Sequence, residues 1–331
     1  MNRLDSGQPP AHAPRGLLHT HDVDEHAACL EGWGQRYDQL SAGRFDGCFE
    51  EYWFGSVQIF RERANQAIHE SGQPWHGSRT LAVPVAIDGA GWFCGELFDL
   101  DSIITLKGGD DLDFRTPRLH EILALTADAA ALNDYALQVD HLDIETELQG
   151  RRIVPAAPAQ VARLRDFLAT VLASLRATPD LLRHPQMCRA LEQAVFGAVV
   201  DTVRSPAAEP RATPSCRTRQ LVVERAREYM REHIDEPISV ADLCVELRVS
   251  RRTLQYSFQD VLDLNPVKFL RAMRLNGVRR DLKRADPSRD TVADIAAHWG
   301  FWHLSHFAAD YKTMFDELPS DTLKRATRTH A

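Results

Sequence analysis

Between Val240 and Leu323 the apolar positions fall twice into the same series of steps. Val240, Leu243 and Leu247 recur at helical spacing, and after a short polar break Leu254, Phe258 and Val261 open a second stripe. Val292, Ile295 and Ala296, followed by Phe307, Tyr311 and Phe315, repeat the arrangement. Leu254 precedes Phe258 by four, with Asp263 five and Pro266 eight residues further on; Phe307, Tyr311, Asp316 and Pro319 reproduce all three steps. Apolar positions three and four apart predict amphipathic helices, and a short helix, a tight turn and a second helix make a helix-turn-helix unit. The two units are predicted over about 240–262 and 292–315, the second with one extra residue in its turn. A joining helix over 266–283 opens on Pro266, tolerated in a first turn whose amides are unpaired anyway. It carries Leu270, Met273, Val278 and Leu282 on one stripe and Leu275 off it.

Upstream the pattern changes. Residues 26 to 40 read as a helix, after which Gly43, Gly47 and Gly55 punctuate short segments. The alternation from Val57 to Glu62 and the apolar run from Thr80 to Ala86 make residues 45 to about 125 a series of strands, with Gly108-Gly109-Asp110-Asp111 as a turn. Residues 159–177 and 179–203 read as helices. The first has a broad stripe (Val161, Leu164, Phe167, Leu168, Val171, Leu172, Leu175) that suits either a core or a dimer face.

The expected fold class is therefore α+β and multidomain. Residues 1–20 are an unstructured tail, 21–150 a ligand-sensing β-barrel domain, 151–204 a helical dimerisation or relay segment, 205–217 a proline-broken linker, and 218–331 an all-α double helix-turn-helix domain.

The outward faces of the predicted second helices carry the chemistry. Ser250 is a helix N-cap. Beyond it Arg251, Arg252, Thr253, Gln255, Tyr256 and Gln259 point away from the apolar stripe. Arginine can fork onto guanine and glutamine onto adenine in a major groove. A solvated first turn is the plainer reading of the two arginines, but cations at a helix N-terminus oppose the macrodipole, which costs a few tenths of a kcal/mol and asks for another reason. Lys268 is a candidate phosphate contact. On the second unit the candidates are Trp302, His303, Ser305, His306 and Lys312, with Leu304 predicted on the buried stripe. Trp302 could equally pack against the turn, and His303 and His306 lack the further ligands of a zinc site. If both helices enter successive major grooves, they stand about 34 Å apart.

Charge sharpens this picture. The chain carries a formal −8, yet residues 217–331 hold 20 Lys and Arg against 17 Asp and Glu, while residues 1–216 hold 19 against 30. The excess of base thus lies with the predicted DNA reader.

These residues resemble the AraC/XylS family of transcription regulators. The resemblance covers about a hundred residues, through Ala241-Asp242-Leu243, Ser250, Leu254, Phe258, Pro266, Arg274-Leu275, Ala293-Asp294-Ile295-Ala296, Gly300-Phe301, Ser305, Phe307, Lys312, Phe315 and Pro319-Ser320. Asp263 and Asp316 stand where that family usually has glycine, and Ala309 where relatives often have arginine. A narrower likeness is to the ethanolamine-utilisation regulators of the family, through Val249-Ser250-Arg251-Arg252-Thr253-Leu254-Gln255 and Trp299-Gly300-Phe301-Trp302-His303-Leu304, with fainter echoes at Tyr37-Asp38-Gln39-Leu40 and Val57-Gln58-Ile59-Phe60-Arg61-Glu62.

The resemblance implies a cupin-like sensor barrel with flanking helices ahead of the reader, operator DNA, RNA polymerase and a second copy of the chain in a homodimer as partners, and activation of an amine-catabolism operon. Ethanolamine, cobalamin or both would be the effector, with no cofactor required for DNA binding. Trp53, Phe60, Arg61, Trp75 and Trp92 are candidate pocket residues, although aromatics in a small barrel are more often core. One of Arg61 and Glu62 should point inward, and an inward charge needs a partner or a ligand.

The alternative is a metal-dependent cupin enzyme fused to a DNA-binding domain. Such chemistry needs converging ligands, and His69, His76, His120 and His141 stand isolated along the chain. The cluster of His19, His21, Asp22, Asp24 and His26 reads as a solvated polar tail. No GxSxG, HExxH, P-loop or GxGxxG string occurs, so no catalytic or metal-binding residue is assigned. The six cysteines form no CxxC pair, and no stretch of 18 apolar residues could cross a membrane. A reduced cytoplasmic protein is expected.

Overall fold

The computed structural model describes residues 15–203, 214–233, 238, 240–262, 264–301 and 304–329. The first elements in chain order are β1 (Arg15–Thr20), α1 (Val23–Ala27), β2 (Arg36–Gln39), β3 (Gly47–Phe54), β4 (Val57–Ala64), β5 (Ile68–Gly72) and β6 (Ser78–Ile87). Then come β7 (Gly91–Phe93), β8 (Glu96–Phe98), β9 (Ile103–Lys107), β10 (Leu112–Arg115), β11 (His120–Asp128), α2 (Ala129–Asp140), α3 (Ile144–Glu147) and β12 (Ile153–Val154). Two long helices follow, α4 (Pro158–Ala177) and α5 (Pro185–Val203), with a 3-10 turn at Pro179–Arg183 between them. The remainder is helical: α6 (Pro214–Glu232), α7 (Val240–Glu246), α8 (Arg251–Leu262), α9 (Pro266–Arg284), α10 (Val292–His298), α11 (Leu304–Phe315) and α12 (Pro319–Thr329). The chain forms two compact units, Met1–Tyr37 with Asp46–Arg211, and Asp38–Phe45 with Ala212–Ala331.

In the first unit a seven-stranded sheet runs β1-β3-β4-β11-β6-β9-β12 and a five-stranded sheet runs β2-β5-β10-β7-β8. Period-two alternation sorts the central strands of the larger sheet. Ile59, Leu81, Val83, Leu123 and Leu125 join one core with the helical residues Leu132, Val161, Leu164, Leu168, Val195 and Val199. Their neighbours Phe60, Ala82, Ile122 and Ala124 join a second core with Phe93, Phe98, Leu112 and Phe114 of the smaller sheet. β11, buried along nearly its whole length, carries both cores. The α4 stripe, open in sequence between core and dimer face, is buried in the first of them, with Phe167 partly buried.

Several expectations are corrected. The strands form two open sheets, with no hydrogen-bonded pair joining them among the described residues, instead of one closed barrel. Residues 15–20, expected in the tail, form β1 and pair with β3, since the free backbone edge of β3 accepts a strand whatever its side chains. The helix expected over 26–40 is α1 alone, because Gly32 and Gly34 take left-handed φ of 79° and 56° and turn the chain into β2. Of the polar cluster at its start, His19 and His21 are exposed, but Asp22 caps α1 by accepting from the amides of Asp24 and Glu25, and His26 is buried. Of the expected linker 205–217, residues 214–217 already belong to α6 and the rest lie outside the described residues.

The second unit is organised on α9, with Phe269, Leu270, Met273, Leu275, Val278 and Leu282 all buried. One end of its core holds Leu275, Val278 and Leu282 with Ala296, Phe307, Tyr311 and Phe315. The segment Asp38–Phe45 completes this unit. The Asn276 side chain pairs with the Gln39 backbone, Gln39 Nε2 donates to the Met314 carbonyl at 2.8 Å, and Asp38 lies 2.8 Å from Arg280.

Candidate nucleic-acid interface and a buried acidic cavity

Both helix-turn-helix units stand where the apolar steps place them, and their turns are built alike. In the first, Val249 N donates to Cys244 O and Arg248 N to Val245 O; in the second, Phe301 N donates to Ala296 O and Gly300 N to Ala297 O. This is a left-handed helix end that returns two amides to the carbonyls of the closing turn. The left-handed residue is Gly300 in one copy and Arg248, at φ 53°, in the other. Asp316 is also left-handed, at φ 56°, as its place in the repeat requires; Asp263 lies outside the described residues.

On α8, Ser250 Oγ accepts from Thr253 N at 3.0 Å and starts the helix as the sequence indicates. Leu254, Phe258, Val261 and Leu262 are buried, which leaves Arg251, Arg252, Thr253, Gln255, Tyr256 and Gln259 exposed along one side. The Arg252 guanidinium lies 5.3 Å from the Tyr256 ring centre, a cation-π contact that aligns a long cation with the helix. Lys268 is exposed on the first turn of α9, where Asn265 caps the helix.

On α11, Phe307, Tyr311 and Phe315 are buried while Ser305, His306 and Lys312 are exposed. Leu304, expected on the buried stripe, is the first residue of the helix and is 45% exposed. Trp302 and His303 lie outside the described residues. Arg271 pairs with Asp310, so α9 and α11 are tied by an ion pair as well as by their apolar faces. Trp299, ahead of α11, donates from Nε1 to Asp281 Oδ2 at 2.7 Å and rests its ring on Gly277 of α9.

The first unit holds a cavity of about 30 Å³, room for only a few atoms since a water takes roughly 10–15 Å³ on the same measure. Its lining is mostly apolar, including Trp33, Phe60, Phe93 and Phe114, but it also carries Glu62 and Glu70. Phe60 is the one sequence-derived candidate that lines it; Trp53, Arg61, Trp75 and Trp92 do not. Of the pair left open by the alternation, Glu62 is the inward charge, whereas Arg61 pairs with Glu121. Trp53 packs near Trp75, with ring centres 6.3 Å apart, and Trp92 sits in register with Arg115.

Around the two acids the electrostatics are unusual. Glu62 Oε1 lies 3.1 Å from His26 Nε2, Glu70 Oε1 lies 3.9 Å from His120 Nε2, and all four side chains are essentially excluded from solvent. Tyr37 is buried beside both acids with its hydroxyl donating to Gln35 Oε1 at 2.6 Å, and burial together with the charges of Glu62 and Glu70 pushes it well above the usual phenol range. Burial also acts to raise Glu62, but the hydrogen bond and charge of His26 outweigh it and leave that carboxyl below its ordinary range. Glu70 has no such cation beside it, and burial reinforced by the Glu62 charge drives it well up. Burial brings His120 down to about 4, keeping the imidazole neutral. Sequence reasoning missed His26 on α1, Glu70 on β5 and His120 on β11, which are brought together only by the packing of elements far apart in the chain.

Residues 243–325 match the family model of a helix-turn-helix domain. Over 332 aligned residues the chain is 28% identical to the probable thc operon regulatory protein of Rhodococcus erythropolis, covering 93% of this chain and 90% of that protein. It is 30% identical over 105 residues to a XylDLEGF operon transcriptional activator of Pseudomonas putida, 32% of this chain and 33% of that one. Among solved structures, a probable AraC family transcriptional regulator from Rhodopseudomonas palustris CGA009 is 34% identical over 32% of this chain and 97% of its own, with a TM-score of 0.30.

Proposed function

The chain is a DNA-binding transcription regulator of the AraC family, and from that premise we propose that it is an effector-responsive activator of a catabolic operon. The observation that carries this reading is the pairing of an exposed arginine and glutamine face on α8 with a separate unit that holds a mostly apolar cavity lined in part by two acids. The first arrangement recognises bases. The second holds small molecules, for which an enclosed apolar site with a few convergent polar groups is the usual form.

Operator DNA is bound through both helix-turn-helix units, and RNA polymerase is recruited from there, by one copy or a pair. The expected amine effector fits the size and acidity of the cavity. A cobalamin does not fit a space of about 30 Å³, so any cobalamin response would need another site. The reading is supported by likeness of sequence strings to ethanolamine-utilisation regulators and by the acids in the cavity.

The experiment is a reconstituted transcription assay on the chain's own upstream promoter region, with small primary amines added singly, paired with thermal melting of the full chain. A ligand that binds only the folded state raises the melting temperature. Transcription that rises with an amine that also stabilises the chain is the expected outcome. DNA binding with no response to any amine would leave the family reading intact and remove the amine effector.

A further inference from the structure

Glu62 on β4, Glu70 on β5 and His120 on β11 come from three strands, and their ligand atoms all lie within 4.8 Å of one another. We propose that these three side chains form a binding site for a divalent transition-metal ion at the wall of the cavity, an ion through which the sensor unit could also hold its effector.

Three observations lead there. All three side chains are buried, with relative exposures of 1%, 2% and 0%. Glu70 Oε1 and both ring nitrogens of His120 have no hydrogen-bond partner among the described residues. Buried polar atoms are nearly always satisfied by protein, water or a ligand, and a fully enclosed imidazole with neither nitrogen engaged is a group built to receive something. The donor set then narrows what that is. One imidazole nitrogen and two carboxylate oxygens suit zinc, manganese, iron, cobalt or nickel in the divalent state. Magnesium prefers to keep several waters, for which a small, largely apolar cavity has little room.

Metal bonds of about 2.0–2.2 Å set neighbouring ligand atoms of a tetrahedral site roughly 3.3–3.6 Å apart, so side-chain movements of up to about 1 Å close the set. His26, 3.1 Å from Glu62, supplies the kind of outer contact that orients a ligand in such sites. Two carboxylates and a neutral imidazole are balanced in charge by a dication. Because Glu62 and Glu70 also line the cavity, a three-ligand ion would face it with an open position, as sites that accept an outside ligand do. An amine or hydroxyl group is a donor for that position, and this last step alone rests on the effector reading above.

The test uses the full chain freed of metal with a chelator and titrated with Zn(II), Mn(II) and Co(II), with Mg(II) as a control. Calorimetry gives the stoichiometry, the visible absorption of Co(II) reports the ligand field, and thermal melting reports linkage. One equivalent is expected, with at least roughly 100-fold weaker binding in Glu70→Gln and His120→Gln, since even outer-shell losses cost 10- to 100-fold. His21→Gln, at an exposed histidine, should bind like the parent. Glu70→Gln keeps the shape and removes a buried acid, so it should fold at least as well as the parent and keep the test readable if His120→Gln unfolds. Binding that survives Glu70→Gln, or no stoichiometric binding of any of the three ions, overturns the proposal. A small amine that stabilises the metal-free chain while the ions do not would also overturn it, and would leave the effector reading standing.

Discussion

Asn276 on α9 exchanges two hydrogen bonds with the backbone of Gln39, its Oδ1 accepting from the Gln39 amide at 3.0 Å and its Nδ2 donating to the Gln39 carbonyl at 2.9 Å. A second bond from Nδ2 reaches the Ala272 carbonyl one turn back on the same helix. Every group involved is buried, so the amide does for residue 39 what a neighbouring strand would do. Asn276→Leu removes both partners from a buried amide and carbonyl. It should destabilise the helical unit by about 1–3 kcal/mol, read as a fall in the urea midpoint.

The same arrangement bears on where the DNA-binding unit can be cut. Arg280 and Asp38 form an ion pair with side-chain exposures of only 13% and 5%, and a fragment beginning at Ala212 keeps the cation and loses the acid. Removing one partner of a buried pair costs about 3–5 kcal/mol. Asp38→Ala in the full chain should therefore lower stability by an amount in that range, and the excised fragment should be less stable than the same unit in the intact protein by denaturant unfolding.

Base reading and phosphate anchoring separate by residue. Arg252→Ala and Gln255→Ala should each cost roughly 1–3 kcal/mol on the cognate operator and relax preference at one base pair. Lys268→Ala should weaken cognate and random duplexes alike and make the salt dependence shallower by about one phosphate contact. Fluorescence anisotropy on both duplexes across a salt series distinguishes the two patterns. Equal losses on both duplexes for all three variants would remove α8 from the major groove.

A methyl group at Gly277 would meet the Trp299 ring at 2.2–2.5 Å. Gly277→Ala is expected to force the indole away, to break its bond to Asp281 and to destabilise the second helix-turn-helix by about 1–3 kcal/mol, the usual cost of overpacking. Tryptophan fluorescence and unfolding would show both effects.

Arg248 occupies the left-handed position that Gly300 fills in the other copy. A non-glycine residue is strained there by about 1–2 kcal/mol, part of which glycine returns as entropy of the unfolded chain. Arg248→Gly should thus stabilise the first unit by up to about 1 kcal/mol, visible as a rise in melting temperature.

The sequence made the helix-turn-helix pair legible because its determinants are local: a stripe, a cap at Ser250 and a turn residue each act within a few positions. Strand alternation likewise showed that Arg61 and Glu62 face opposite ways, and the structure identifies Glu62 as the inward one. What it concealed depends on pairing between distant strands. His120 seemed isolated because its neighbours Glu62 and Glu70 lie 58 and 50 positions away in the chain. Residues 26 to 40 had helical periodicity, yet the positive φ of Gly32 and Gly34 overrode it. The division of the strands into two sheets, and the membership of Asp38–Phe45 in the helical unit, likewise follow from register and long-range pairing.

That membership sets a timetable for biosynthesis. Gln39 leaves the ribosome long before its partner carbonyl at Met314, 275 positions later, a wait of roughly 15–55 s at elongation rates of about 5–20 residues per second. During that interval the first unit can assemble around a loop whose binding groove does not yet exist. The last step of maturation is then capture of an early segment by a late one, with a large loop-closure entropy already met by the folded sheets on either side. A nascent chain stalled before α11 would present Asp38–Phe45 uncovered, so chaperone protection or protease sensitivity in this segment should persist until translation is complete.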